Sequence, residues 1–275
     1  MQRTVILPVA ALLILLPALG CGKIEARAQL KKGNSLYQQE SYVKAISEYK
    51  KGLELDPDAT FAWRSLGLAS LALYRPGDDS PKNVEYADTA INAFEKYLAD
   101  YPKDEKVEEY LMSTLVNAKK YDESLAFIER RTKEMPQEAP KLAKYRVTIL
   151  TQAGRLDQAN QLAAQLQGQD KAEALYSIGV SAWDKAYRDV SIPLEERVKV
   201  VDMGLDALKQ ALATKPDYFE AMAYYSLLFR EKAKAELDPA KRLEDTANAD
   251  LWLKKAIEVR KKAQAQQPKT TPAKT

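Results

Sequence analysis

The chain contains no histidine and one cysteine in 275 residues. The first absence excludes a histidine general base and every nucleophile that depends on a histidine partner, Ser-His-Asp and Cys-His alike. Together the two absences leave a zinc site without its usual ligands. One cysteine cannot close a disulfide within the chain. An excess of one charge is also missing, since 42 Lys and Arg stand against 39 Asp and Glu, a net +3. An electrostatic nucleic-acid binder needs a concentrated basic face, so nucleic acid is excluded as a partner class. Glycine is scarce, at 10 residues, and Phe is held to 5. Low Gly with abundant Ala, Leu, Lys and Glu favours helix throughout.

Motifs for chemistry are missing too. There is no Gly-rich phosphate loop, no nucleophile elbow and no zinc-protease pair. Acidic pairs occur at Asp78-Asp79, Asp104-Glu105 and Glu195-Glu196. On a Lys/Glu-rich helical surface such pairs read as solvated charges, not as the acid and base of a glycosidase. Asp78-Asp79-Ser80 lacks the spaced oxygen ligands of a calcium loop. The expectation is a non-enzyme with no cofactor and no metal.

What is present begins at the amino terminus. Arg3 precedes an apolar run, Val5 to Leu19, broken by Pro8 and Pro17. The run is short for a membrane-spanning helix, which needs about 20 residues. A basic start, a short apolar stretch and small residues at its end form a secretory signal over residues 1–20. The one cysteine, Cys21, follows Ala18-Leu19-Gly20. This resembles the lipobox of bacterial lipoproteins, with Leu and Ala exchanged at its first two places. The resemblance implies cleavage before Cys21, acylation of that residue and attachment to the cell envelope at a membrane surface facing the periplasm. Residues 21–25 would then be a lipidated linker. Gly22, where an Asp would signal inner-membrane retention, leans toward the outer membrane. An ordinary signal peptide and an uncleaved anchor remain open alternatives.

The body of the chain is periodic. Pro57, Pro102, Pro136 and Pro216 each end a helical pattern, and Pro102 and Pro136 stand 34 residues apart. Trp63-x2-Leu66-Gly67, Ala90-x3-Phe94 and Pro102 form one unit. Gly33-x2-Leu36, Ala45-x3-Tyr49 and Pro57 form another. Leu175-x2-Ile178-Gly179-x2-Ala182 and Gly204-x3-Leu208 form a later one, ending at Pro216. These spacings resemble the tetratricopeptide repeat, a helix–turn–helix unit of 34 residues. The resemblance covers residues 26–264. It implies an all-α, right-handed superhelical solenoid of about six repeats, near 26–59, 60–104, 105–138, 139–171, 172–218 and 219–264. Small residues (Gly33, Ala45, Gly67, Ala90, Gly179, Ala249) are expected where paired helices cross. Large ones (Trp63, Phe94, Ile128, Leu208, Leu253) are expected between neighbouring pairs.

Three repeats exceed 34 residues, with insertions around 75–81, 189–193 and 237–239. Each holds a proline between helix-forming segments, so lengthened helices with a turn at the proline are expected. Residues 265–275, built of Gln, Pro, Thr, Lys and Ala, are expected to be disordered.

Tyrosine is in surplus, at 15 residues. Tyr49, Tyr97 and Tyr225 fall in apolar slots of the repeat and read as core. In the tetratricopeptide fold the first helices line a concave groove. The resemblance places on that face Asn34, Tyr37, Gln38, Arg64, Leu68, Asn117, Tyr176, Trp183 and Arg230, a mixture suited to anchoring a peptide. Chaperone-binding members of the family grip a C-terminal carboxylate through a Lys/Asn/Arg clamp. Asn34 fits one place of it, but Leu30, Ser65, Glu109 and Ser113 occupy the rest, so that partner class is disfavoured. The resulting expectation is a membrane-anchored interaction scaffold for an unidentified protein or peptide, of the kind that assists pilus, secretin, outer-membrane or cell-wall machinery. A module binding a glycan or a peptide fragment is the alternative.

Overall fold

The structure, a computed structural model, describes the backbone of residues 18–266 and the side chains from residue 22. Residues 1–17 of the expected signal, the Cys21 side chain and the tail from 267 onward lie outside the described residues. Among the described residues there are twelve α-helices and no strand. They are α1 (Ala18–Gln38), α2 (Tyr42–Leu55), α3 (Thr60–Leu71), α4 (Pro81–Asp100), α5 (Glu105–Asn117), α6 (Tyr121–Glu134), α7 (Ala139–Gln152), α8 (Leu156–Ala163), α9 (Gly168–Arg188), α10 (Leu194–Thr214), α11 (Phe219–Ala235) and α12 (Pro239–Gln266). Among these residues no helix is long and apolar enough to cross a membrane.

The four periodic prolines act through one recurring turn. The residue before each is pushed out of the helical region, with φ of −142° at Asp56, −120° at Tyr101, −131° at Met135 and −133° at Lys215. Proline disfavours the α conformation in its predecessor, and this ends the helix there. Each of these residues also accepts a hydrogen bond from the amide three positions on, which closes the turn: Ala59 to Asp56, Asp104 to Tyr101, Glu138 to Met135 and Tyr218 to Lys215. A different turn joins helices in the repeats without insertions. Glu40, Lys119 and Gly154 take left-handed φ of 57°, 57° and 71°. The next amide then bonds back five residues in each case, Ser41 to Leu36, Lys120 to Leu115 and Arg155 to Leu150, within 2.8–2.9 Å. That is the Schellman closure of a helix C-terminus.

The small residues stand where helices cross closely, as the sequence implies: Ala45, Ala90 and Ala249 are fully buried. The large residues require a correction. Phe94 lies on Gly67 of its own pair, Leu208 on Gly179 of its own pair, and Tyr49 on Gly33 of its own pair. They fill the gap opposite a glycine within a pair, and Phe94 also reaches the next pair, where it stacks on Tyr110 of α5 at 5.9 Å. Gly204 is the glycine that meets two neighbours, Ala182 of α9 and Leu228 of α11. Leu253 is 40% exposed, because it sits on α12, beyond which no further described helix packs.

The described chain separates into two compact units, one up to Lys120 and one from Tyr121. Unit one holds α1–α5 around Leu30, Tyr49, Leu53 and Leu66. Unit two holds α6–α12 around Leu175, Ile178, Leu205, Leu208 and Leu228. In each, helices touch their neighbours in sequence and the next but one, the nearest-neighbour pattern of stacked repeats. The division falls inside the expected third repeat. Other boundaries also move. Residues 21–25 are helical, part of α1. The turn into the fifth pair is at Gly168, whose φ of 52° suits glycine. The last helix runs to Gln266, past the expected 264.

Two insertions lengthen helices as expected, giving α9 and α10 of 21 residues each and an α12 of 28. The insertion at 75–81 differs. α3 stops at Leu71, and residues 72–80 form a loop before α4. Asn83, 4% exposed, holds it. Its Nδ2 donates to the carbonyls of Arg75 (2.8 Å) and Asp78 (2.7 Å), and its Oδ1 accepts from the Arg75 amide (2.8 Å). Asn83→Ala is expected to cost about 1–3 kcal/mol, the penalty for stranding buried backbone groups. Amide exchange at Arg75 should accelerate while that of α2 stays unchanged. Unaltered protection at Arg75 would mean the loop is held by something other than Asn83.

Candidate functional site

α9 and α11 are the first helices of consecutive pairs, and they pack against each other. Along their shared face runs a strip of five aromatic rings. Tyr218, just before α11, lies 4.9 Å from Tyr176 of α9. Tyr224 of α11 stands edge-on between Tyr176 (5.7 Å, 77°) and Trp183 (5.5 Å, 77°). Trp183 stacks on Tyr187 at 5.0 Å and 12°. Tyr176, Trp183 and Tyr224 are half-buried, and Tyr187 is 53% exposed. Edge-to-face and offset-stacked pairs of this kind add about 0.5–1.5 kcal/mol each beyond burial, so the rings support one another along the strip.

Charge is unevenly spread along the strip. Beside Tyr218 and Tyr176 stand Glu220 and Glu173. At the opposite end the Lys234 ammonium lies 5.5 Å from the Tyr187 ring and is paired with the buried Glu231 carboxylate at 2.6 Å. Lys215 sits 4.5 Å from Tyr218, so the first end carries two carboxylates and one ammonium. Burial, then neighbouring Tyr176 and the charges of Glu220 and Glu173, push the Tyr218 hydroxyl up to about 12. Burial, Tyr224 and Glu220 raise Tyr176 in the same sense. In the unfolded chain Tyr218 would lose its proton near 10. Between pH 10 and 12 the folded state therefore holds a proton the unfolded state has lost, and stability falls as pH rises through that window. Tyr218→Phe should flatten this part of the fall. Denaturant midpoints of both proteins at pH 9 and pH 11.5 give the comparison, and parallel curves would mean Tyr218 titrates normally.

The sequence-expected groove residues divide between the units. Tyr176 and Trp183 are in the strip. Arg230 is not, because its Nη2 pairs with Asp250 of α12 at 2.8 Å. Six residues beyond Tyr224, it has turned well away from the α9 side. In unit one, Asn34 is exposed, but its Oδ1 accepts from the Tyr49 hydroxyl at 2.8 Å, tying α1 to α2. Tyr37 is half-buried, edge-on to Tyr42 at 5.3 Å. Burial foremost raises its hydroxyl, with Tyr42 and Tyr110 adding and Arg64 opposing. Gln38 is exposed and Leu68 half-buried. The Arg64 Nε lies 3.9 Å from Asp104. Asn117 is exposed, donates to Ser113 at 3.3 Å, and helps to line a small cleft with Tyr74, Asp79, Asn83 and Lys120.

The acidic pairs have structural partners. Asp104 accepts from the Val107 amide and the Tyr97 hydroxyl, and these outweigh burial to hold its carboxyl below the usual range. Asp78 accepts from the Ser80 amide, and Glu196 pairs with Lys185 at 2.6 Å.

Tyr187, Tyr218 and Tyr224 escaped the sequence reading. Tyr187 was findable, since it lies four residues after Trp183 and therefore on the same helix face. Tyr224 was hidden by the repeat register, which aligns Trp183 with Arg230. Rings from α9 and α11 interdigitate between equivalent places instead of at them.

Residues 33–73 match the family model of the TPR repeat. No curated protein sequence matches the chain. Among solved structures, YrrB, a TPR protein with an unusual peptide-binding site, is 22% identical over 74% of this chain and 94% of its own, with a TM-score of 0.39. A TPR repeats protein from Bacteroides fragilis is 17% identical over 76% and 98%, with a TM-score of 0.43. Naa15/Naa10 bound to HypK-THB aligns at 12% over 92% of this chain and 40% of that one, with a TM-score of 0.44.

Proposed function

We propose that the chain is a tetratricopeptide-type interaction scaffold of the bacterial cell envelope, anchored through lipid on Cys21 and binding a protein partner along the α9/α11 face. One observation carries the binding assignment: five rings aligned on one accessible face, flanked by charge. A solenoid needs such rings in its core, but these lie outside the buried set apart from Tyr218. The TPR match at 33–73 supports the scaffold class. With no histidine and with one member of each acidic pair engaged in a turn, a cap or an ion pair, the chain is read as a binder and not an enzyme. Export and an outer-membrane location follow from the lipobox resemblance, with envelope assembly or cell-wall machinery as the setting.

A photoreactive amino acid at Tyr187 should crosslink one discrete partner in cells. The same group at Leu243, 72% exposed on α12, should not. Equal labelling from both positions, or none from Tyr187, would sink the assignment of this face.

A further inference from the structure

One edge of unit one is apolar and uncovered. α1 begins, α2 ends, α3 begins and α4 ends on that side, and three contacts tie these ends together. The Lys23 Nζ, near the start of α1, lies 3.8 Å from Asp56, the residue after α2. The Trp63 indole N–H of α3 donates to the Pro57 carbonyl at 3.0 Å. The Thr60 hydroxyl, at the start of α3, donates to the Asp100 carboxylate at the end of α4. Beside these bonded residues stand Ile24, Leu55, Phe61 and Tyr101, which are 70%, 40%, 57% and 53% exposed. Among the described residues, the other large apolar side chains that unit one exposes are Val43 and Val84, and both lie at helix starts on the opposite edge.

Single apolar residues scattered over a surface need no explanation, whereas a cluster marks something that covers it. Position in the chain supplies the occupant here. Cys21 precedes Ile24 by three residues in the same helix, about 4.5 Å along its axis. The apolar run Val5 to Leu19 leads directly into it. Acyl chains on Cys21 and an uncleaved apolar segment would both bring hydrocarbon to this edge. Membrane–water interfaces favour Tyr, and surfaces that lie in the interface bury Phe and Leu. Phe61, Tyr101 and Leu55 are residues of those kinds.

Charge does not make this contact. Lys23, Arg27 and Lys103 are exposed around the four side chains, and so are Asp58, Asp100 and Glu105. Lys23 has Asp56 as a partner. With the signs mixed and no basic excess, an anionic headgroup has no special claim on the edge, and the rings and aliphatic side chains carry the contact. Four partly exposed side chains bury less than one acyl chain, which by itself binds only marginally. They orient an anchored protein and do not hold a free one.

We infer that the edge of unit one formed by Ile24, Leu55, Phe61 and Tyr101 lies on the lipid surface, with its two rings at the membrane–water interface, and sets the orientation of unit one there. This rests on the reading of the chain as membrane-anchored at its amino terminus. The test uses the full lipidated chain in vesicles of phosphatidylethanolamine and phosphatidylglycerol, some of whose lipids carry a nitroxide quencher just below the headgroup. An environment-sensitive fluorophore is placed, through an unnatural amino acid, at Phe61, Tyr101 or Val43. Val43 is the matched control, because it is as exposed as Phe61, at 57%. Quenching at Phe61 and Tyr101 should exceed that at Val43 by about threefold or more, and should persist in high salt, which screens headgroup charge. The double variant Phe61→Ser, Tyr101→Ser should remain membrane-bound and lower the quenching of a probe at Leu55 several-fold.

Bound protein with equal quenching at Phe61, Tyr101 and Val43, or a Leu55 probe indifferent to the double variant, would overturn the inference and leave the anchor standing. Quenching lost in high salt would overturn it too, assigning the orientation to Lys23 and Arg27. Protein that neither binds the vesicles nor takes up fatty acid would bring down the anchoring reading and the inference with it. A photoreactive group at Phe61 that captures another protein or a second copy of the chain in cells, in place of lipid, would give the edge to a protein partner.

Discussion

Phe94→Ala is expected to destabilise unit one by about 3–5 kcal/mol, the range for emptying a fully buried aromatic site. The Phe94 ring has no exposure, lies against Gly67 and stacks at 5.9 Å on Tyr110 of the next helix. It therefore joins α3, α4 and α5, and its loss opens a space that none of the three helices can close alone. Gly67 makes the argument sharper. In an isolated helix Gly→Ala gains about 1 kcal/mol. Here the added methyl would meet the Phe94 ring, and overpacking of this kind costs about 1–3 kcal/mol. Gly67→Ala should therefore be destabilising, against its propensity. Gly22→Ala, with nothing within 4 Å of the added atom, should be neutral or slightly stabilising. Combining Gly67→Ala with Phe94→Leu should cost less than the two single changes together, because each relieves the other. Urea midpoints at constant slope decide it. Additive losses would show that the ring and the glycine are not one packing unit.

That pair also shows which features a sequence exposes. Gly67 and Phe94 are 27 positions apart, yet each holds a place in the repeat unit that Gly33 with Tyr49 and Gly179 with Leu208 also hold. Repetition makes the small and the large places readable, but not that they face each other within one pair, which only the packing of the two helices decides. The prolines are readable for a local reason, since each constrains only its predecessor. What failed to show depended on one place alone. The loop at 72–80 exists because a single buried side chain, Asn83, satisfies three backbone groups, and a helix-forming pattern contains no sign of that. The aromatic strip was half legible. Tyr176 and Trp183 stood out on their helix face, but Tyr224 reaches them through the offset between α9 and α11, a tertiary quantity that no period encodes.

The proposed binding rings belong to unit two, while the proposed lipid site belongs to the first helix of unit one. Changes to Tyr187 or Tyr224 should leave membrane attachment untouched, and changes at Cys21 should leave the packing of the α9/α11 face untouched. The two properties can thus be separated by mutation, which a site that used the membrane as part of its surface would not allow.

Cys21→Ser is expected to move the protein from the membrane fraction to the soluble fraction and to abolish fatty-acid labelling. Each buried methylene contributes about 0.8 kcal/mol, so one acyl chain holds a protein marginally and several hold it stably. Removing the attachment point removes all of that at once. What is left is electrostatic. Lys23 and Arg27, exposed near the start of α1, would each add about 1 kcal/mol against an anionic surface. Lys23 also has Asp56 at 3.8 Å to compete for it. That residue of attraction should vanish in high salt. α1 bears on placement as well, because Ala26 is already fully buried and Gly52 packs near its carbonyl. Only four residues separate Cys21 from the core of unit one, about 7 Å at helical rise. The scaffold would then sit directly on the lipid surface with little freedom to swing. Inserting ten Gly/Ser residues after Gly22 should keep the protein membrane-bound while lowering the crosslink yield from Tyr187, if the partner is itself held at a fixed height. Membrane attachment that survives Cys21→Ser in high salt would mean the apolar segment before it stays on the chain as an anchor, and the lipoprotein assignment would fall.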